Sequence, residues 1–134
     1  MKSYTDLDQS SRLAEILPLE SADMHYHYDF DFDELESIPT ITEEDDHFVL
    51  FPKDVRCWSL TALLNVIPKD EYKDVDLCFG GYQGDKYIDE WFCSYEQHNH
   101  PFFIETCHAP TPVDACVEMI LKLKENNKLS ITHP

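Results

Sequence analysis

Two imidazoles one residue apart, His25-x-His27, open a run in which Asp29, Asp31 and Asp33 continue the same two-residue spacing. Imidazole nitrogen and carboxylate oxygen form the donor set of zinc and related divalent transition ions, and alternate residues of an extended chain lie on one face about 7 Å apart. His25 and His27 are therefore candidate ligands of a divalent transition metal, with the aspartates at hand to complete the set. Tyr26, Tyr28, Phe30 and Phe32 occupy the intervening positions. The pattern predicts a strand with an aromatic face toward the core and a His/Asp face toward water, or an extended arm lying on the domain. Stacked like charges favour an edge strand or arm over a central strand.

Other candidate chemistry is less specific. His98-x-His100 is a second imidazole pair, but neither pair is joined by His-Glu-x-x-His or Cys-x-x-Cys. Cys107 beside His108 has the composition of a nucleophile and base, yet neighbours on a strand point to opposite faces. With 27 acidic residues almost any carboxylate pair can be drawn, so none stands out. Gly80-Gly81-x-x-Gly84 lacks the lysine and the strand-to-helix setting of a phosphate loop and reads as turn residues. Cys57, Cys78, Cys93, Cys107 and Cys116 are an odd number without metal spacing, which predicts reduced thiols, several of them small buried hydrophobes.

The formal charge is −17, from 27 acidic against 10 basic residues, and residues 1–52 alone hold 14 acidic and 2 basic ones. Such a surface repels phosphate backbones and anionic membranes, so ordinary nucleic-acid binding is disfavoured, while a basic protein partner is favoured. No apolar run approaches the roughly 18 residues of a spanning helix. The opening MKSYTDLDQS lacks the apolar core of a signal peptide, so the expected location is the cytoplasm.

The elements that must carry these groups read as one α+β domain. The clearest is a helix over Ala109–Asn127: Thr111 as N-cap, Pro112 at the first helical position, Asp114 completing a capping box, and an apolar stripe of Val113, Cys116, Val117 and Ile120 edged by Leu121 and Leu123. A second helix, Leu60–Ile67, has Ser59 as cap and Pro68 as stop, with Trp58 stapled onto it. Between them lie three predicted strands, Val75–Phe79, Lys86–Tyr95 and Phe102–Cys107. The fold class is thus α+β: a three-stranded antiparallel meander with flanking helices (α-β-β-β-α) over residues 53–134, preceded in 1–52 by a helix at Asp6–Leu17, the extended arm, an acidic surface loop over 37–46 and a short apolar run at His47–Phe51. Aromatics outnumber what one sheet face can bury, so the N-terminal half is expected to cover the second face, with self-association or a partner as the alternative.

Three blocks, QSSRLAEILPLESADM (9–24), CWSLTALLNVIP (57–68) and TPVDACVEMILKLKEN (111–126), resemble segments of small proteins encoded by Bacteroides-type gut bacteria and their phages and mobile elements. The resemblance implies a biological setting and supplies no activity or site. The α-β-β-β-α order is also that of double-stranded-RNA-binding domains, but those need lysines where this helix opens with Asp114.

Two functional expectations follow. The first is a non-enzymatic module that binds a protein, plausibly a basic one, through Asp29, Asp31, Asp33, Glu34 and Glu36 of the arm and Glu43, Glu44, Asp45 and Asp46 of the loop, without a cofactor. Homodimerisation stays open. The second is a metal-binding or metal-dependent hydrolytic domain built on His25, His27 and the neighbouring aspartates.

Overall fold

The computed structural model describes residues 1–42 and 53–129. Along the chain run α1 (Leu7–Ala14), a 3-10 turn (Leu19–Ser21), β1 (Met24–Tyr26), β2 (Tyr28–Asp29), β3 (Glu34–Leu35), β4 (Thr40–Ile41), β5 (Val55–Cys57), α2 (Leu60–Val66), β6 (Lys73–Gln83), β7 (Lys86–Gln97), β8 (Phe103–Ala109) and α3 (Pro112–Glu125). The fold is α+β, with the expected antiparallel meander β6-β7-β8 between α2 and α3.

Period-two alternation makes the meander two-faced. Cross-strand neighbours Val75–Tyr95, Leu77–Cys93 and Cys93–Cys107 share the face that joins the core, and Tyr95 and Cys93 are fully buried there. β6 runs past its predicted end because Gly80-Gly81 lies inside it as a bulge rather than in a turn, and β7 continues two residues further, to Gln97. The reason is steric: Gly80 has φ +85°, where a Cβ would strike the Tyr87 ring, and a Cβ on Gly81 would lie 2.9 Å from the Phe92 ring. The reversal itself falls at Gly84, also at positive φ.

α3 lies on β7 and β8. Thr111 Oγ1 accepts the Asp114 N–H as expected of an N-cap, and Pro112 occupies the first turn. The buried set is wider than the predicted stripe: Ala115, Met119 and Leu123 are as inaccessible as Val113, Cys116, Val117 and Ile120. The sheet covers one side and α2 packs on another, leaving Glu118, Lys122 and Glu125 as a narrow wet edge. Full burial of each such aliphatic side chain is worth roughly 1.5–3 kcal/mol, so this helix anchors the fold.

The Asp114 carboxylate departs from the predicted capping box. It accepts hydrogen bonds from Lys2 Nζ and Gln9 Nε2, both at 2.7 Å, and so ties the chain's start to the helix N-terminus. Gln9 belongs to α1, whose own capping box is formed by Asp6 and Gln9. α1 is shorter than predicted and buries Leu13, with Leu17 just beyond its end. Thr5 is fully buried and saturated: it exchanges hydrogen bonds with Trp58, its hydroxyl meets Ser10, and its carbonyl accepts from Tyr26. Trp58, also fully buried, donates Nε1–H to Ser21 Oγ.

The described part of the N-terminal half, residues 1–42, therefore packs against the helical side of the domain, and Cys78, Thr106 and Ile104 on the second sheet face are exposed. This overturns the expected coverage; α1 follows its tie to Asp114. β1 is the centre of a small sheet ordered β4-β1-β5, where the sequence predicts an edge strand or arm. β4 lies within the stretch 37–46 predicted as a loop. The carboxylates Glu43, Glu44, Asp45 and Asp46 and the apolar run 47–51 lie outside the described residues. Among the described residues no helix is long and apolar enough to cross a membrane.

Burial alone would raise the Asp114 carboxyl, but hydrogen bonds from Lys2, Gln9 and Thr111 outweigh it and hold the group below the usual carboxylate range. A depressed folded-state pKa stabilises above the unfolded value of about 3.9 and loses that contribution as pH falls through the folded value. Asp114→Asn is expected to cost on the order of 1 kcal/mol at pH 7, read by urea denaturation, with variant and wild type converging as pH falls through the folded value. Ile120→Ala should cost about 2–5 kcal/mol in the same assay, with little pH dependence.

Candidate functional site

The His/Asp run does not extend as one strand. β1 stops at Tyr26, the strand is interrupted at His27, and β2 and β3 form a hairpin whose turn is Phe30-Asp31-Phe32-Asp33. Asp29 Oδ1 accepts the Asp31 N–H at 2.9 Å, and Asp33 sits at φ +53°. Both are ways in which aspartate competes with a strand: its side chain closes a local turn and tolerates the left-handed region. Reversal takes Asp31 and Asp33 into the turn, while the register sets Asp29 opposite Glu34.

The aromatic face is split by this reversal. Tyr26 and Tyr28 are buried, whereas Phe30 and Phe32 remain 62% and 75% exposed at the hairpin tip. Phe30 meets Tyr28 edge-to-face at 5.0 Å, and Lys53 Nζ lies 4.5 Å from the Tyr28 ring centre. Around the tip stand Asp31, Asp33 and Glu34, all exposed, with Asp29 half-buried, while the exposed Glu36 sits at the hairpin's open end, its N–H bonded to the His27 carbonyl. The five carboxylates expected to act together are thus brought onto one projecting element.

At its base the expected water-facing histidines are partly enclosed. His25 is 5% exposed, and its Nδ1 lies 2.9 Å from Thr42 Oγ1. Burial holds the His25 imidazole below its usual range, countered by Asp54 and reinforced by His27 and Arg56. The antiparallel register that pairs His25 with Arg56 continues to bring Asp54 of the chain before β5 opposite His27. Asp54, with a side chain 1% exposed, accepts the Tyr28 N–H at 2.8 Å and lies 3.2 Å from His27 Nδ1. His25, His27 and Asp54 each place a ligand atom within 4.8 Å of the others. The aspartates at 29, 31 and 33 are not members of this group, contrary to the sequence expectation, because the hairpin carries them away. Asp54 was invisible in the sequence: only strand pairing brings it to the histidines.

The second histidine pair divides. His98 Nε2 lies 3.2 Å from Asp74 and 3.4 Å from Glu96, a cross-strand acidic pair on the open sheet face, while His100 is exposed in the β7–β8 turn. Cys107 and His108 do take opposite faces. Burial pushes the Cys107 thiol up to about 11, and His108 Nδ1 contacts Glu90 at 2.7 Å on the other side. Burial likewise pushes Cys57 up to about 12, and hydrogen bonding to Cys116 with burial raises Cys93. These are packing thiols, and all five cysteines are unpaired.

Comparison with family models, with curated proteins and with solved structures finds no match to the chain. Function is accordingly read from the side chains.

Removing the Asp54 carboxylate strips the Tyr28 N–H of its partner and His27 Nδ1 of a contact at 3.2 Å. Asp54→Ala is expected to destabilise by about 2–3 kcal/mol, whereas Asp31→Ala at the exposed tip should change stability by less than about 1 kcal/mol, both read by thermal melting.

Proposed function

We propose that this chain is a non-enzymatic interaction module that docks a basic protein through the hairpin Tyr28–Leu35. Phe32 and Phe30 act as anchors, while Asp29, Asp31, Asp33, Glu34 and Glu36 steer and orient the encounter. The observation that carries this reading is the exposure of Phe32, at 75%, on a turn surrounded by carboxylates. A phenylalanine left in water forgoes roughly 2 kcal/mol of burial, which a partner's pocket would restore. Aromatic anchors at the centre of an interface typically carry much of its affinity, and surrounding charges raise the on-rate and select the partner's sign.

A second copy of the chain fits this surface poorly, since its formal charge of −17 would bring like charges together. A basic groove fits better. In its sharper form the module mimics nucleic-acid charge and occupies the groove of a DNA-binding enzyme, as an accessory or counter-defence factor of a mobile element would.

Immobilised protein should retain a basic protein from host lysate at low salt and release it as salt rises. Phe32→Ala is expected to weaken that complex at least tenfold with an unchanged melting temperature, and neutralising Asp29, Asp31 and Asp33 to asparagine should flatten the salt dependence. Retention that is indifferent to both sets of substitutions would rule the reading out.

A further inference from the structure

We propose that His25, His27 and Asp54 form a binding site for one divalent transition ion of the zinc class at the base of the hairpin. This goes beyond the interaction reading and does not depend on it.

Zinc bonds to histidine nitrogen and carboxylate oxygen measure about 2.0–2.2 Å, so two donors of a tetrahedral site sit roughly 3.3–3.5 Å apart. His27 Nδ1 lies 3.2 Å from one Asp54 oxygen and 3.5 Å from the other, the long end of a hydrogen bond and the edge length of such a polyhedron. All three donor atoms already fall within 4.8 Å of one another, so closing on a common ion needs side-chain adjustments of about an ångström. Two imidazoles with one carboxylate are a recurrent set for borderline divalent ions.

The surroundings match a ligand shell. Thr42 Oγ1 lies 2.9 Å from His25 Nδ1, the kind of outer contact that metal-bound histidines ordinarily receive. The Tyr28 N–H holds one Asp54 oxygen in the same way. Arg56, opposite His25, is a competing positive charge, and Glu36 offsets it from the hairpin side. His25 lies in β1, and His27 and Asp54 directly adjoin the paired ends of β1 and β5, apart from the exposed tip.

The Asp74/Glu96/His98 group has the same donor types but stands in water, with side chains 41–64% exposed, and His98 Nε2 already contacts both carboxylates. It serves as the internal control. Protein without a histidine tag, stripped with chelator, is titrated with Zn2+ by calorimetry, followed by elemental analysis after dialysis. One zinc per chain and a raised melting temperature are expected. Asp54→Asn, which keeps an acceptor for the Tyr28 N–H, and His27→Gln, at a position 37% exposed, should each weaken binding at least tenfold, while His98→Ala leaves it unchanged. Co2+ loading should give a visible spectrum in wild type that His27→Gln alters. Should Asp54→Asn fail to fold, His27→Gln alone decides the matter. Absence of stoichiometric zinc, zinc affinity undiminished in His27→Gln, or loss of binding in His98→Ala would each overturn the assignment.

Discussion

The burial of α3 is the constraint on which the rest of the chain depends. Its apolar positions meet β7 and β8 on one side and α2 on another, so nearly the whole circumference is dry. A helix in that position must have both ends satisfied, and its N-terminal end is closed by groups distant in sequence. Thr111 supplies the local cap, while Asp114 reaches Lys2 and Gln9 and brings α1 onto the same core. An acidic side chain at the positive end of the helix dipole is favourable in itself; here it also fastens the amino terminus.

That fastening decides where the N-terminal half goes. With α1 tied to α3 and Thr5 locked to Trp58 and Tyr26, the following chain enters the small sheet as its central strand. Asp23 strengthens the junction by accepting from both the backbone N–H and the hydroxyl of Ser59, the cap of α2. The outer face of the meander is left open, polar at Asp74, Asp76, Glu96 and Thr106, and the hairpin Tyr28–Leu35 projects from the small sheet. Acidic surface and partly enclosed donor cluster are thus two consequences of one arrangement, separated by the strand interruption at His27.

The two candidate features differ in what holds them. The hairpin is shaped locally, by an aspartate turn and a residue at positive φ, and its carboxylates and phenylalanines face water. The cluster of His25, His27 and Asp54 is held by strand register, by Thr42 and by the Tyr28 N–H. Mutations at the tip can therefore test recognition without disturbing the base.

What the sequence by itself determined were the elements whose signals are local. Thr111-Pro112 and the stripe through Ile120 specify α3, Ser59 and Pro68 bracket α2, and period two with glycine turns marks the meander, because caps, periodicity and turn chemistry act within a few residues. The acidic character of the Asp29–Glu36 stretch was equally legible. Only the tertiary structure decided that the His/Asp run breaks into strand and hairpin, that β1 is central, that Gly80-Gly81 forms a bulge beneath Tyr87 and Phe92, and that Asp54 rather than Asp29 joins the histidines. Each of these depends on strand register or on contact between residues far apart in the chain, which periodicity along a single segment does not encode.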